Sequence, residues 1–285
     1  MKFSAENVNS CLGWDGVVAL LWAACYNQYG FEYGKGCWSM RDCVRRELDI
    51  NGVSVTAEYA SEDVERVFVP LLAELTRRRR GMSRRLIAFL AAPPGAGKST
   101  LAAFLEQMSR ERPGLERVQA LGMDGFHHHA DYIASHTVLR GGVRIPMARV
   151  KGAPESFDVD KLRQALTALR IADGRFPVYD RRLHDVVEDA VAVDAPVVLL
   201  EGNWLLLDEP AWRELPRDYA IYLDAPEDVL RGRVIGRRLA TGRTAEEAER
   251  LWTECDGPNA ALCAHCHTHP DALLRLKGGR IARMY

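Results

Sequence analysis

Residues 86–100 read LIAFLAAPPGAGKST, and this stretch decides the fold. Leu86–Ala91 is an apolar run of strand length, and Leu101, Phe104, Leu105 and Met108 follow at helical spacing. The segment between them fits a phosphate-binding loop set between a strand and a helix. Small residues, with Gly95 and Gly97, let backbone N–H groups close around phosphate oxygens. The amino terminus of the following helix adds its positive dipole end. Pro94, Gly95, Ala96, Gly97, Lys98, Ser99 and Thr100 are therefore expected to hold a nucleotide. Lys98 would reach the β- and γ-phosphates, and the Ser99 hydroxyl would ligate Mg²⁺. Ala92 stands at the first position, where glycine is common, which is a minor departure.

Outward from the loop, apolar strands alternate with helical patterns. Val118–Leu121, Val197–Leu200 and Tyr219–Leu223 are short apolar runs, and Leu162, Ala165, Leu166 and Leu169 mark a helix. That alternation predicts an α/β fold, a parallel sheet with helices on both faces. Thr244 and Glu247 have capping-box spacing, so a helix is expected from Ala245. Upstream, Leu48, Ile50, Val53, Val55, Ala57 and Tyr59 flank Asn51-Gly52, which favours a leading β-hairpin with a type I′ turn. Ser61 is expected to cap a helix carrying Val64, Val67, Phe68, Leu71, Leu72 and Leu75, with a kink at Pro70.

Two carboxylates lie at strand ends, where an open α/β sheet presents its ligand crevice. Asp124, in Gly122-Met123-Asp124-Gly125, could accept a proton from an attacking hydroxyl; the competing reading is a turn-forming Asp before Gly125. Glu201 ends the Val197–Leu200 run in a Walker-B-like position that serves Mg²⁺; the competing reading is a plain surface strand end. Arg231, Arg233, Arg237, Arg238 and Arg243 crowd one predicted helix and its exit. Arg233 and Arg237 share a face and could clamp a transferring phosphoryl group, or simply form a solvated cationic face.

Charge and composition narrow the classes. The 285 residues carry 38 Lys plus Arg against 39 Asp plus Glu, a formal net charge of -1, which excludes a generally basic nucleic-acid coat. Hydrophobic residues at 47% and charged residues at 27% describe an ordinary globular protein. The six arginines among residues 77–85 read as a helix end and connector, although a nucleic-acid site there would predict strongly salt-dependent binding. Val17–Cys25 is a short apolar run like a signal core, but Asp15 precedes it and Lys2 is the lone cation upstream. No stretch approaches the roughly 20 apolar residues that span a bilayer. Seven cysteines, an odd number, point to reduced thiols and a cytoplasmic location. Cys263-Ala264-His265-Cys266-His267 spells a haem-attachment pattern, and His269 adds a zinc-type ligand; both are read as fortuitous composition.

Taken in order, the loop, MDGFH (123–127), KGAPESFD (151–158), PVYDRRLHD (177–185), EGNWLLL (201–207) and the Arg-rich segment resemble a family of P-loop kinases. It is that of uridine kinase, phosphoribulokinase and bacterial-type pantothenate kinase, with the nearest likeness to a bacterial nucleoside/nucleotide kinase or fructose transport system kinase branch. The resemblance covers roughly residues 45–270. It implies a P-loop NTPase-type sheet with a five-stranded parallel core and an Arg-bearing lid. It also implies ATP with Mg²⁺ as donor and a small-molecule hydroxyl acceptor: a sugar, a nucleoside or a pantothenate-like compound. Asp124 would be the base, and Arg233 and Arg237 the lid arginines. Lys151, Glu155, Phe157 and Asp158, with Tyr179, Arg181, His184 and Asp185, would line the acceptor side, and His127 is expected beside it.

Two departures stand out. Ala130–Val150 is long for this branch, which bears on acceptor size. Residues 1–40 have no counterpart and are expected to be an extension ahead of a kinase domain over 41–285. Asp256-Gly257-Pro258-Asn259 resembles a branch motif with no assigned role. The expected partner is the acceptor, with neither nucleic acid nor membrane; a homodimer is compatible with this reading. The alternative is a nucleotide-dependent regulatory module with slow ATPase activity and no acceptor.

Overall fold

The computed structural model describes residues 42–50 and 52–285. The expectations for residues 1–40 and for the turn type at Asn51 lie outside the described residues. The chain opens with β1 (Cys43–Ile50) and β2 (Val53–Ala60), paired antiparallel with Ile50 opposite Val53. This is the predicted leading hairpin. Then follow β3 (Leu86–Ala91), β4 (Val118–Gly122), β5 (Thr137–Arg140), β6 (Val143–Pro146), β7 (Gly174–Asp180), β8 (Asp185–Val193), β9 (Val197–Gly202), β10 (Tyr219–Asp224), β11 (Ala272–Lys277) and β12 (Arg280–Arg283).

The main sheet runs β12-β11-β10-β3-β9-β4, parallel except for β12. Five parallel strands thus form the core, as the resemblance implied. Buried parallel strands must be apolar on both faces, which is why β3, β9 and β10 were readable as continuous runs. Alternate residues of β3 feed opposite layers. Leu86, Ala88 and Leu90 pack with Leu101, Phe104, Leu105 and Met108 of the helix Lys98–Glu111. Ile87, Phe89 and Ala91 pack with Leu162, Leu166 and Leu169 of the helix Val159–Ile171. Helices therefore cover both faces. The central strand β3 lies between β9 and β10, so its loop opens at the carboxyl edge where the connections diverge.

The leading hairpin docks through Tyr59, whose ring meets Phe68 at 5.0 Å and Phe104 at 4.7 Å, both edge-on. The helix after it corrects one expectation. Ala60 occupies the cap position without a side-chain bond, and Ser61 is already helical. Ser61 N–H is taken by Asp42 O at 2.8 Å, so the turn is fixed by backbone pairing. Before Pro70 the helix widens: Val69 N–H donates to Val64 O, five residues back. Proline cannot donate, and this π turn shifts the register just ahead of it. The capping box at Thr244 is present, with both reciprocal bonds, at 3.2 and 3.1 Å.

Residues 130–150 form a small layer of their own: the helix Ala130–Ser135, the β5–β6 hairpin, and a tight turn at Met147–Val150. Ile133, Val138, Met147, Val150 and Ala153 make its core. Among the described residues, no helix is long and apolar enough to cross a membrane.

The arginine run is more structural than a solvated connector. Arg77 and Arg78 hold Glu74, and Arg80 meets Glu116. Arg84 grips Asp218 with two bonds, at 2.9 and 2.7 Å. Arg85 is 8% exposed. It donates to the carbonyls of Ala195, Leu169 and Ala172, and pairs with Asp173. Arg85→Ala would strand two buried carbonyls, those of Ala195 and Leu169, so it should destabilise the fold by about 2–4 kcal/mol in denaturant unfolding. A loss under about 1 kcal/mol would show those carbonyls finding water instead.

Candidate active site

The loop after β3 turns back on itself before the helix. Ala96 N–H donates to Pro93 O at 3.2 Å, and Ala92 N–H to Gly202 O at 3.4 Å. Gly95 and Gly97 have φ of 86° and 97°, a left-handed backbone that side chains with a Cβ rarely adopt. Gly97 is the cap of the helix Lys98–Glu111, so Lys98, Ser99 and Thr100 form its first turn. This brings the backbone N–H groups of the first helical turn and the positive helix end to one point.

Ser99 Oγ donates to Glu201 Oε1 at 2.8 Å, joining the loop to the end of β9. Burial pushes the Glu201 carboxyl up from its usual range. Lys98 pulls it down, Asp124 pushes it up, and Ser99 and Arg181 pull it down. Lys98, Asp124 and Arg181 thus all act electrostatically on one carboxylate. A hydroxyl and a carboxylate oxygen side by side are hard oxygen donors, the set that suits Mg²⁺.

Asp124 lies in a tight turn, Met123–Phe126, directly after β4. Gly125 is required there by space. A Cβ would come within 2.2 Å of Pro177 O, so the MDGF turn and β7 touch backbone to backbone. Asp124 O accepts from His127 N–H at 3.2 Å and from His127 Nδ1 at 2.9 Å. A carbonyl can only accept, so Nδ1 carries the proton and Nε2 is left as an acceptor. Burial lowers the His127 pKa, Asp124 opposes that, and Lys151 reinforces it.

The His127 ring lies 3.9 Å from that of Phe157 and 5.3 Å from that of Tyr179. Lys151 Nζ donates to Tyr179 Oη at 2.7 Å and to His184 O at 3.3 Å. His127, Lys151, Phe157 and Tyr179 therefore form one wall next to Asp124. The other expected acceptor residues are used differently. Asp185 accepts from Ala130 N–H and Val186 N–H and pairs with His129, which anchors the inserted layer. His184 contributes its backbone oxygen, with its side chain exposed and φ of 54°. Glu155 is held by Arg140 with two bonds, at 2.9 and 2.8 Å. Asp158 caps the helix Val159–Ile171 through Lys161 N–H.

From the helix Glu227–Ala240, Arg233 Nη1 reaches Ala96 O at 3.0 Å and Gly95 O at 3.3 Å. Burial lowers the Arg237 pKa, and the Arg181 guanidinium pushes the same way; Asp256 and Asp124 oppose them. Arg238 is instead tied to Asp256, with Nε at 2.9 Å. The helix thus leans on the loop through Arg233 and brings Arg237 to the Asp124 side. The Cys263–His267 stretch spreads apart. Cys263 Sγ is buried against Asn203 O, His267 stacks on Tyr222 at 4.0 Å, and Cys266 is exposed. Burial pushes the Cys263 thiol up to about 12, so it stays protonated.

This geometry agrees with a family model, Phosphoribulokinase / Uridine kinase family, that matches residues 86–258. The chain belongs to that family. It is similar to an uncharacterised protein of Escherichia coli (strain K12), YggC: 44% identity over 216 residues, 75% of this chain and 87% of that one. A provisionally named uridine kinase of Schizosaccharomyces pombe is 33% identical over 175 residues, 59% of this chain and 72% of that one. Among solved structures, a provisionally named fructose transport system kinase from Silicibacter sp. TM1040 superposes with a TM-score of 0.63 at 27% identity. That match covers 74% of this chain and 99% of that one. The family is one of ATP-dependent small-molecule kinases, and this member has its P-loop sheet.

Sequence reasoning missed Arg140, Trp212 and Asn259, which meet near Phe157. Of these, Arg140 lies in Ala130–Val150, marked by its length, and Asn259 in Asp256-Gly257-Pro258-Asn259, a motif with no assigned role.

Proposed function

We propose that the protein is an ATP-dependent kinase that transfers the γ-phosphoryl group to a hydroxyl of a small metabolite in the cytoplasm. One observation carries this reading: the phosphate loop and Asp124 share a single charge cluster at the carboxyl edge of the sheet. Lys98, Ser99, Glu201 and Arg181 all lie around it.

The roles follow from position. The loop of residues 94–100, through the N–H groups of Gly95 and of residues 97–100, and Lys98 hold the donor phosphates. Ser99 and Glu201 would hold Mg²⁺. Held there, the ion would supply neutralisation of the phosphates' negative charge. Asp124 orients the attacking hydroxyl and takes its proton. Neutral His127 offers Nε2 to a neighbouring hydroxyl. Arg233 fixes the lid helix to the loop, and Arg237 faces the charge that spreads over the transferring group. Catalysis is then positioning plus electrostatics.

The direct test is ADP release with Mg²⁺ and ATP across a metabolite panel, with detection of phosphorylated product. Acceptor-dependent ADP release supports the kinase. Slow ADP release that no acceptor accelerates supports a regulatory ATPase instead.

A further inference from the structure

Behind Phe157 lies a cavity of about 480 Å³, lined in part by Arg140, Glu155, Phe157, Glu209, Trp212 and Asn259. Its volume falls in the range of small-molecule sites, roughly 300–1,000 Å³. It sits one ring away from the phosphoryl-transfer site. Phe157 faces His127 at 3.9 Å on one side and meets Trp212 edge-on at 6.1 Å on the other. His127 in turn is bonded to Asp124 O.

We propose that this cavity seats the body of the acceptor and selects an uncharged, ring-bearing polyhydroxy compound over a phosphorylated or carboxylated one. The inference rests on the kinase reading above and names the acceptor class for it.

Charge argues first. The lining carries one cation, Arg140, against two carboxylates, Glu155 and Glu209. Arg140 already donates two bonds to Glu155, which is the arrangement a bound phosphate would need for itself. An anion placed there would compete with Glu155 and face Glu209. Hydroxyl groups meet no such conflict. Carboxylates accept their protons, and an amide both donates and accepts. Asn259 is 7% exposed, and its amide nitrogen reaches a thiol, Cys255 Sγ, at 3.8 Å. A buried amide with so weak a partner gains most from a ligand hydroxyl. Phe157 and Trp212 supply apolar cover for the C–H face of a ring.

The cavity also accounts for two segments that stand out in the sequence, one for its length and one as a motif with no assigned role. Arg140 ends β5 of the inserted layer, so residues 130–150 supply one wall. Pro258 and Asn259 of the DGPN motif supply another.

The test uses the full chain with Mg²⁺ and ATP. The panel contains ribose, fructose and uridine, a monophosphate of each, and pantothenate. A neutral compound should exceed its phosphate ester and pantothenate by at least tenfold in kcat/KM. Asn259→Ala and Arg140→Ala should each raise KM for that compound about tenfold while KM for ATP holds. Glu209→Arg, at an exposed position, should shift the ratio toward the phosphate ester about tenfold. Preference for a phosphate ester or pantothenate overturns the inference and leaves the kinase reading standing. So does an acceptor KM that stays within twofold in all three variants. Absence of turnover with every compound sinks both.

Discussion

Asp124→Ala should cut kcat by about 10³-fold or more while the Kd for ATP stays within about twofold. General-base catalysis by a positioned side chain contributes roughly 10²–10⁴-fold, and alanine also removes the orientation of the attacking oxygen. The separation of the two effects follows from the fold. Asp124 belongs to the turn after β4, whereas the phosphate loop belongs to β3 and its helix. The two meet through charge, at Glu201, and not through a shared hydrogen bond. The backbone oxygen of residue 124 holds His127, so the acceptor wall should survive the substitution. Asp124→Asn is the companion variant, because it keeps shape and removes the proton acceptor. Nucleotide titration by calorimetry and single-turnover product formation would read both parts. Full turnover in either variant, or loss of ATP binding in Asp124→Ala, would show that Asp124 is not the base.

The parts of this fold that were legible in sequence are those whose physics is local. A strand, a glycine turn and a helix start are contiguous in residues 86–100, so the loop declares itself. The capping box at Thr244 and Glu247 involves residues three apart. Parallel strands buried on both faces show as apolar runs, which the alternating β11 and the edge strand β12 do not. Where the deciding partner is remote, the reading failed or stayed blank. Arg85 looks like one more cation in a run until Ala195, Leu169 and Ala172 surround it. Asp185 and Lys151 stand in similar motif segments, but one ends up pinning Ala130 N–H and the other reaches Tyr179. The cavity behind Phe157 draws its walls from four separate segments, and no spacing rule joins residues 140, 155, 209 and 259. The motif resemblance named Glu155 and Phe157 without showing what they enclose.

Glu201→Gln should cut kcat by about 10²-fold or more and, without Mg²⁺, leave the protein as stable as before or more so. The first effect comes from losing a hard anionic ligand beside Ser99. The second comes from the direction of the carboxyl's shift. Burial raises its pKa more than Lys98, Ser99 and Arg181 lower it, so the folded state disfavours the ionised form. A carboxyl raised on folding contributes nothing unfavourable below its unfolded pKa, near 4.3. Its cost grows as pH climbs to the folded pKa and is complete above it. Each unit of upward shift corresponds to about 1.4 kcal/mol. Glutamine carries no charge to desolvate, and its oxygen can still accept from Ser99 Oγ. Thermal unfolding in chelator at pH 5 and pH 8 should therefore show the variant gaining on the wild type as pH rises. With Mg²⁺ added the order should reverse, because only the wild type gains from binding that favours the folded state. A variant that is less stable at pH 8 in chelator would mean that Lys98 and Arg181 need the Glu201 charge more than burial opposes it.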